Sequence, residues 1–167
     1  EVEMMQETYR QLQEEDAAEY YDVLHRSYQT DRQYPISFSA IDATLEDEIR
    51  WLQQEPTYGL FVEGKLISAI SLRMPWGGHP GPKALPHIGQ FITDPDFAHQ
   101  GYAKKLLHWV EEEVLKKQLK APAVTLGTAD THPWLKTMYL HLGFRIIGER
   151  QLTGKKHKTI YFQKDVK

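Results

Sequence analysis

The chain has 167 residues, enough for one domain (1–167) with a real core, and a net charge of −3 from 20 basic and 23 acidic residues. That balance gives no basic field for nucleic acid, and no apolar run nears the roughly 18–20 residues that span a bilayer. Cysteine is absent, which excludes disulfides, Cys-based zinc sites and a cysteine nucleophile and agrees with a reducing cytoplasm, the location also expected from the lack of a signal-peptide pattern.

In chain order, Glu7 to Leu12 alternates loosely and predicts a first strand. Glu14, Glu15 and Asp16 start a helix with acids at the positive end of its dipole, and Tyr20, Tyr21, Leu24 and Tyr28 carry it on at helical spacing. Residues 29–43 are polar and irregular. Thr44, with Asp47 three residues on, reads as the N-cap of a helix through Trp51 and Leu52. Tyr58–Val62 and Leu66–Arg73 read as strands joined by a hairpin at Glu63-Gly64-Lys65. A Pro/Gly-rich loop, Pro75–Pro82, leads to a strand over His87–Thr93, which Asp94-Pro95 ends.

The spacing of Ala103, Leu106, Leu107, Val110 and Val114 predicts a helix from Tyr102 to about Gln118, with Glu112/Lys116 and Glu113/Lys117 paired on its solvated face. Ala123–Thr128 is a short buried strand by composition. A further helix is expected to be capped by Asp130 or Thr131, with Pro133 in its first turn and Trp134, Leu135, Met138 and Leu142 on its buried stripe. Phe144–Gln151 and His157–Gln163 then read as a terminal hairpin around Thr153–Lys156.

The stretch Phe91 to Leu107 is the most informative. Gly101 and Ala103 let the backbone come close to whatever sits at the helix start, where unpaired N–H groups and the dipole suit phosphate. Lys104 and Lys105 lie in the first turn, where the dipole disfavours cations unless a polyanion is bound. This stretch resembles motif A of the GNAT acetyltransferase superfamily. Thr93-Asp94-Pro95 stands at the family's strand exit, and Ala98-His99-Gln100-Gly101-Tyr102-Ala103 stands where the family has [RQ]-x-x-G-x-[GA]. The two small positions match, and Ala98 replaces the usual Arg or Gln. Tyr139-Leu140-His141-Leu142-Gly143-Phe144 resembles the Y-x-x-x-G-F of motif B, and together the pieces cover roughly residues 57–164.

The resemblance implies the α/β (α+β) GNAT acyl-CoA N-acyltransferase fold, a mixed sheet of about seven strands with a splayed central pair and about four flanking helices. It also implies transfer from acetyl-CoA to a primary amine of a small molecule or peptide. Transfer should be direct, in a ternary complex, because the chain has no Cys and no Ser in a G-x-S-x-G elbow. By the same resemblance Phe91, Ile92 and Thr93 line the pantetheine slot, with the N–H of Ile92 facing the thioester carbonyl. N–H groups from Gln100 through Gly101, Tyr102, Ala103 and Lys104 to Lys105 cradle the pyrophosphate, and His99 and Gln100 partly replace the missing Arg or Gln. His132 stands where the family often has Asn, so Thr128 is the candidate substitute contact. Tyr139 would be the general acid, since a phenol of pKa ~10 matches a departing thiolate. Its spacing from Leu135 and Leu142 equally suits a core tyrosine.

The general base stays open. The stretch His87-Ile88-Gly89-Gln90 has no carboxylate, so His87, His79 and water are the candidates. No metal is required. The first helix pair, residues 29–43 and the loop 74–87 are expected to decide the acceptor, with Tyr28, Tyr34, Phe38 and Trp76 as candidate walls and Asp31 or Asp42 as a cation holder. Amino acids, polyamines, aminoglycosides, small amines and protein N-termini all remain open, as does a homodimer. The competing reading is a non-catalytic GNAT-fold module that holds CoA or a peptide. A nucleotide-binding βαβ protein is disfavoured by the absence of G-x-x-x-x-G-K-[ST] and G-x-G-x-x-G.

Overall fold

The computed structural model describes residues 5–29, 42–132 and 134–166; Asp31, Tyr34, Phe38 and Pro133 lie outside these. The strands are β1 (Glu7–Gln11), β2 (Thr57–Val62), β3 (Lys65–Arg73), β4 (His87–Thr93), β5 (Ala123–Ala129), β6 (Arg145–Gln151) and β7 (Lys158–Asp165). The helices are α1 (Ala17–Gln29), α2 (Leu45–Gln54), α3 (Tyr102–Trp109) and α4 (Leu135–His141). The strands form one seven-stranded sheet in the order β1-β2-β3-β4-β5-β7-β6. Neighbours are antiparallel except β4 and β5, which run parallel. Among the described residues this is the mixed sheet of about seven strands with about four helices that the family resemblance implies.

Local chemistry explains most of the element boundaries. Thr44 caps α2 reciprocally with Asp47: its Oγ1 accepts from the Asp47 N–H at 3.2 Å, and its own N–H donates to Asp47 Oδ2 at 2.9 Å. The β2–β3 turn is tight because Glu63 (φ 49) and Gly64 (φ 79) both adopt the left-handed conformation that matches strand twist. Two expectations are corrected. The helix after Gly101 extends as far as predicted but widens into π geometry over Val110–Gln118, closing with the Leu119 N–H on the Val114 carbonyl at 2.9 Å. Asp130 and Thr131 do not cap α4, which begins after Trp134. Asp130 Oδ1 instead accepts from the Lys158 N–H at 3.0 Å and ties β5 to β7.

Both faces of the sheet are covered. On one, α3, its π continuation and α4 pack Leu106, Leu107, Val114 and Tyr139 against Leu60, Ile70, Leu72, Val124 and Phe162. On the other, Tyr20, Val23 and Leu24 of α1 pack against Leu66, Ala69 and Ile92. Each large side chain so buried contributes about 1.5–3 kcal/mol, so β4 is held from both sides. Among the described residues no helix is long and apolar enough to cross a membrane.

Strand β4 carries two irregularities. The β3–β4 register shifts from Ser71↔Gln90 to Leu72↔Ile88, which leaves Gly89 as an extra, bulged residue. The β4–β5 pairing is confined to His87↔Thr125 and Ile88↔Leu126. Beyond Ile88 the two strands part, as the expected splay requires, while β5 stays paired with β7 as far as Ala129.

Candidate active site

A cleft of about 950 Å³ opens where β4 and β5 separate. Of the residues singled out from the sequence, Phe91, Thr93, His99, Gly101, Tyr102, Ala103, Lys104, Thr128 and Tyr139 line it. Ile92, Gln100 and His87 do not.

Ile92 turns its side chain into the opposite core beside Leu24 and Leu66. Its main chain also faces away. The Asp94 N–H donates to Ile67 O at 2.7 Å, and Ile92 O accepts from Ser68 Oγ at 2.7 Å, so both residues direct their polar groups to β3. Strand groups alternate in direction, so Phe91 and Thr93 present theirs to the open side, where β5 no longer pairs. The slot-facing main chain is therefore that of Phe91 and Thr93 rather than Ile92.

At the exit of β4, Asp94 is fully buried. Its two oxygens accept from the Arg26 guanidinium at 2.9 and 2.8 Å, and the Asp96 N–H donates to Oδ1 at 2.9 Å. The Arg26 charge holds the Asp94 carboxyl below the usual carboxylate range. This contact fixes the turn Pro95–Phe97 to α1 and so aims the following loop. His99 (φ 61) and Gly101 (φ 85) both take left-handed conformations, and a Cβ at Gly101 would meet nothing within 4 Å. Gly101 is thus required for its backbone angle rather than for space.

The first intrahelical bond of α3 is from the Lys105 N–H to Gly101 O at 3.1 Å. The N–H groups of Gly101, Tyr102, Ala103 and Lys104 lie outside that ladder, at the positive end of the dipole. Of the two first-turn lysines, only Lys104 lines the cleft. Lys105 instead reaches β1, with Nζ 2.7 Å from Glu7 Oε1.

The Y-x-x-x-G-F stretch is a helix-ending motif. Gly143 (φ 98) follows the last turn of α4; its N–H donates to Leu140 O at 3.1 Å, and the Phe144 N–H donates to Tyr139 O at 3.0 Å. That double closure, with the Phe144 ring 5.9 Å from Tyr139, is a Schellman arrangement. It sets Tyr139 against Phe91 and Phe162, with ring centroids at 6.4 and 5.6 Å. Tyr139 is only 6% exposed, as a core tyrosine would be, and still borders the cleft.

His87 sits at the closed root of the β4–β5 pair, 4% exposed. Its Nδ1 is 2.8 Å from Thr125 Oγ1, and the 74–86 loop closes over the ring so tightly that a Cβ at Gly81 would be 2.5 Å from Nδ1. Burial, then the nearby Arg73 charge, pushes its pKa down to about 3. The structure therefore keeps His87 out of the cleft. His79 lies on the surface 3.9 Å from Glu55, and Trp76 is 74% exposed; neither borders the cleft, whereas Tyr28 does.

The other end of the cleft is lined by Tyr28, Trp51, Arg73, Gly89 and Gln90. A Cβ on the bulged Gly89 would be 2.9 Å from Trp51 Cζ2 and 3.1 Å from Arg73 Cδ, so bare backbone is what admits those two side chains. Behind them runs a buried polar network. Tyr20 Oη donates to Gln90 Oε1, and Trp51 Nε1 donates to Ser71 Oγ at 2.8 Å. Glu48, 2% exposed, adjoins Gln90, and burial raises its carboxyl to about 7. Sequence reasoning missed Arg73 in the lining of the cleft and Glu48 in the network behind it. The signal for Glu48 was present: Leu45, Glu48, Trp51 and Leu52 share one helical stripe, where a carboxylate is out of place. Arg73 had no such signal at the end of an apolar strand.

Comparison with known proteins bears on this geometry. Residues 7–144 match the Acetyltransferase (GNAT) family. S-(2-succino)cysteine N-acetyltransferase of Bacillus subtilis (strain 168) is 41% identical over 163 residues, 98% of each chain. S-alkylcysteine N-acetyltransferase of the same organism is 36% identical over 152 residues, 90% of this chain and 85% of the relative. Among solved structures, the ribosomal-protein-S18-alanine N-acetyltransferase of Escherichia coli superposes with a TM-score of 0.71 at 16% identity, covering 96% of this chain and 94% of that one. PaiA N-acetyltransferase of Thermoplasma acidophilum, in complex with coenzyme A, superposes with a TM-score of 0.70 at 16% identity, covering 96% and 99%. These two likenesses speak to fold alone. Both Bacillus relatives are enzymes, and neither favours a non-catalytic binding module.

Proposed function

The chain belongs to the GNAT acetyltransferase family and is an N-acetyltransferase, and on that premise we propose that it acetylates the amine of S-substituted cysteines, using acetyl-CoA, by direct transfer in a ternary complex. The reading is carried by one observation: similarity along nearly the whole chain to two N-acetyltransferases that both act on cysteines substituted at sulfur.

The residues of the cleft fit an acyl-CoA donor. Four N–H groups outside the helical ladder, together with Lys104, suit a diphosphate at the start of α3. The unpaired main-chain groups of Phe91 and Thr93 suit the amides of a pantetheine arm lying in the splay. Thr128, at the far edge of β5, borders the same space. Acetyl-CoA supplies the acetyl group already activated as a thioester. Tyr139 holds a proton on Oη at the wall of the cleft and gives it to the departing thiolate. The acceptor must reach the carbonyl as a free amine. With His87 sealed at the root and His79 on the surface, water is the proton acceptor left among the candidates read from the sequence.

The test is a direct one. The purified chain is given acetyl-CoA with S-(2-succino)-L-cysteine or S-methyl-L-cysteine, with spermidine and an alanine-terminated peptide as controls, and read by thiol release and product mass. The expected result is N-acetylation of the cysteine derivatives at rates well above the controls. Acetylation of spermidine or the peptide with neither cysteine derivative modified would sink the proposal.

A further inference from the structure

Among the described residues four arginines hold an acid. Arg10 pairs with Asp16, Arg26 with Asp94, Arg50 with Asp47 and Arg145 with Asp165. Arg73 differs. It is half-buried, it lines the cleft, and its Nε is buried without a hydrogen-bond partner among the described residues. No carboxylate among those residues lies within ion-pair distance of it. Glu55 acts on it electrostatically from further away, and the close contact of Glu55 is with His79 at 3.9 Å. Burial holds the guanidinium below its ordinary pKa, but a guanidinium stays charged at neutral pH. A half-buried charge with an unmet donor is unfavourable unless something else completes it.

Its position indicates what that is. Arg73 closes β3 and pairs in register with His87 at the root of β4. Its stem and the Trp51 ring flank the bulged Gly89, whose Cβ would lie 3.1 Å from Arg73 Cδ. Phe91, two residues further along β4, packs on Tyr139. Arg73 therefore marks the end of the cleft opposite Lys104 and the α3 N-terminus. In an α-amino acid the carboxylate is one carbon from the reacting amine, so a cation at this end meets it when the amine faces the donor. A guanidinium can take both carboxylate oxygens at once.

We propose that Arg73 binds the α-carboxylate of the amino-acid acceptor and so selects amino acids over plain amines. This rests on the acceptor class proposed above. The experiment compares wild type, Arg73→Met and Arg73→Lys on S-methyl-L-cysteine and on S-methylcysteamine, the same thioether amine without the carboxylate. Loss of a charge-assisted pair corresponds to a rise in KM for S-methyl-L-cysteine of roughly 10–150-fold in Arg73→Met. KM for S-methylcysteamine and for acetyl-CoA should move less than about twofold, and Arg73→Lys should recover part of the loss because it keeps the charge without the fork. Thermal unfolding with and without acetyl-CoA checks that each variant is folded. If Arg73→Met does not fold, the ratio of the two KM values in Arg73→Lys decides.

Equal effects on both amines, or an unchanged KM for S-methyl-L-cysteine, overturn the assignment. Wild type that acetylates neither cysteine derivative overturns the acceptor class, and this inference with it, before any variant is read. The two failures are therefore distinguishable.

Discussion

At one end of the cleft most of the wall comes from one segment, residues between Phe91 and Lys104, with the end of β5 and α4 completing it. At the other end it is side chains from elements far apart in sequence: Tyr28 from α1, Trp51 from α2, Arg73 from β3 and Gln90 from β4. The first end depends on backbone angles, an αL residue before a helix and an unpaired strand edge. The second depends on which side chains four separate elements bring together. A chain can therefore keep the first unchanged and alter the second by substitution, which is how one fold serves many acceptors.

Substitutions at either end test this contrast. The largest effect is expected at the junction of the two ends. Tyr139→Phe keeps the Schellman closure and the ring packing and removes one hydroxyl, so kcat should fall by about 10²–10⁴-fold with every amine while the acetyl-CoA-induced thermal shift persists. Unchanged turnover would remove Tyr139 from the chemistry. Next, Gly89→Ala should crowd Trp51 and Arg73, raising KM for the amine on the order of tenfold without changing KM for acetyl-CoA. A change confined to acetyl-CoA would mean that the bulge belongs to the donor end.

A third experiment uses pH. The Glu48 carboxyl is raised to about 7 in the folded chain, above an unfolded value of ~4.3. Its contribution to stability is therefore fully present below pH ~4 and is lost as pH rises through about 7. Glu48→Gln carries no such loss. Denaturant melts should show the variant gaining on wild type between pH ~4.5 and ~7.5, by on the order of 1–3 kcal/mol at the upper end. Parallel curves would show that Glu48 is not desolvated. The smallest effect separates the two lysines. Lys104→Met should raise KM for acetyl-CoA by about threefold at low salt, and Lys105→Met should leave it unchanged, since Lys105 is paired with Glu7 on β1. The reverse result would exchange their roles.

Features that depend on neighbouring residues are legible in the chain alone. The Thr44–Asp47 cap, the Glu63–Gly64 turn, the Gly101 entry to α3 and the Tyr139–Phe144 helix ending each involve residues within a few positions of one another. Turn angles and caps are encoded at that range, so these features, and with them the fold and most of the residues that line the β4–α3 end of the cleft, could be read directly. The remaining features needed the folded molecule, because burial and partners come from distant segments. His87 looks like a free imidazole in sequence. It is excluded from the cleft only because Thr125 and the loop carrying Gly81 close around it. Ile92 alternates with Phe91 in any strand, and only pairing with β3 shows which of the two faces the splay. Lys104 and Lys105 are equivalent until β1 supplies Glu7 to one of them. Arg73 acquires its character from desolvation at the end of an apolar strand, which no local pattern carries; for Glu48 the helical stripe marks a carboxylate out of place, and only burial beside Gln90 shows that its carboxyl is raised.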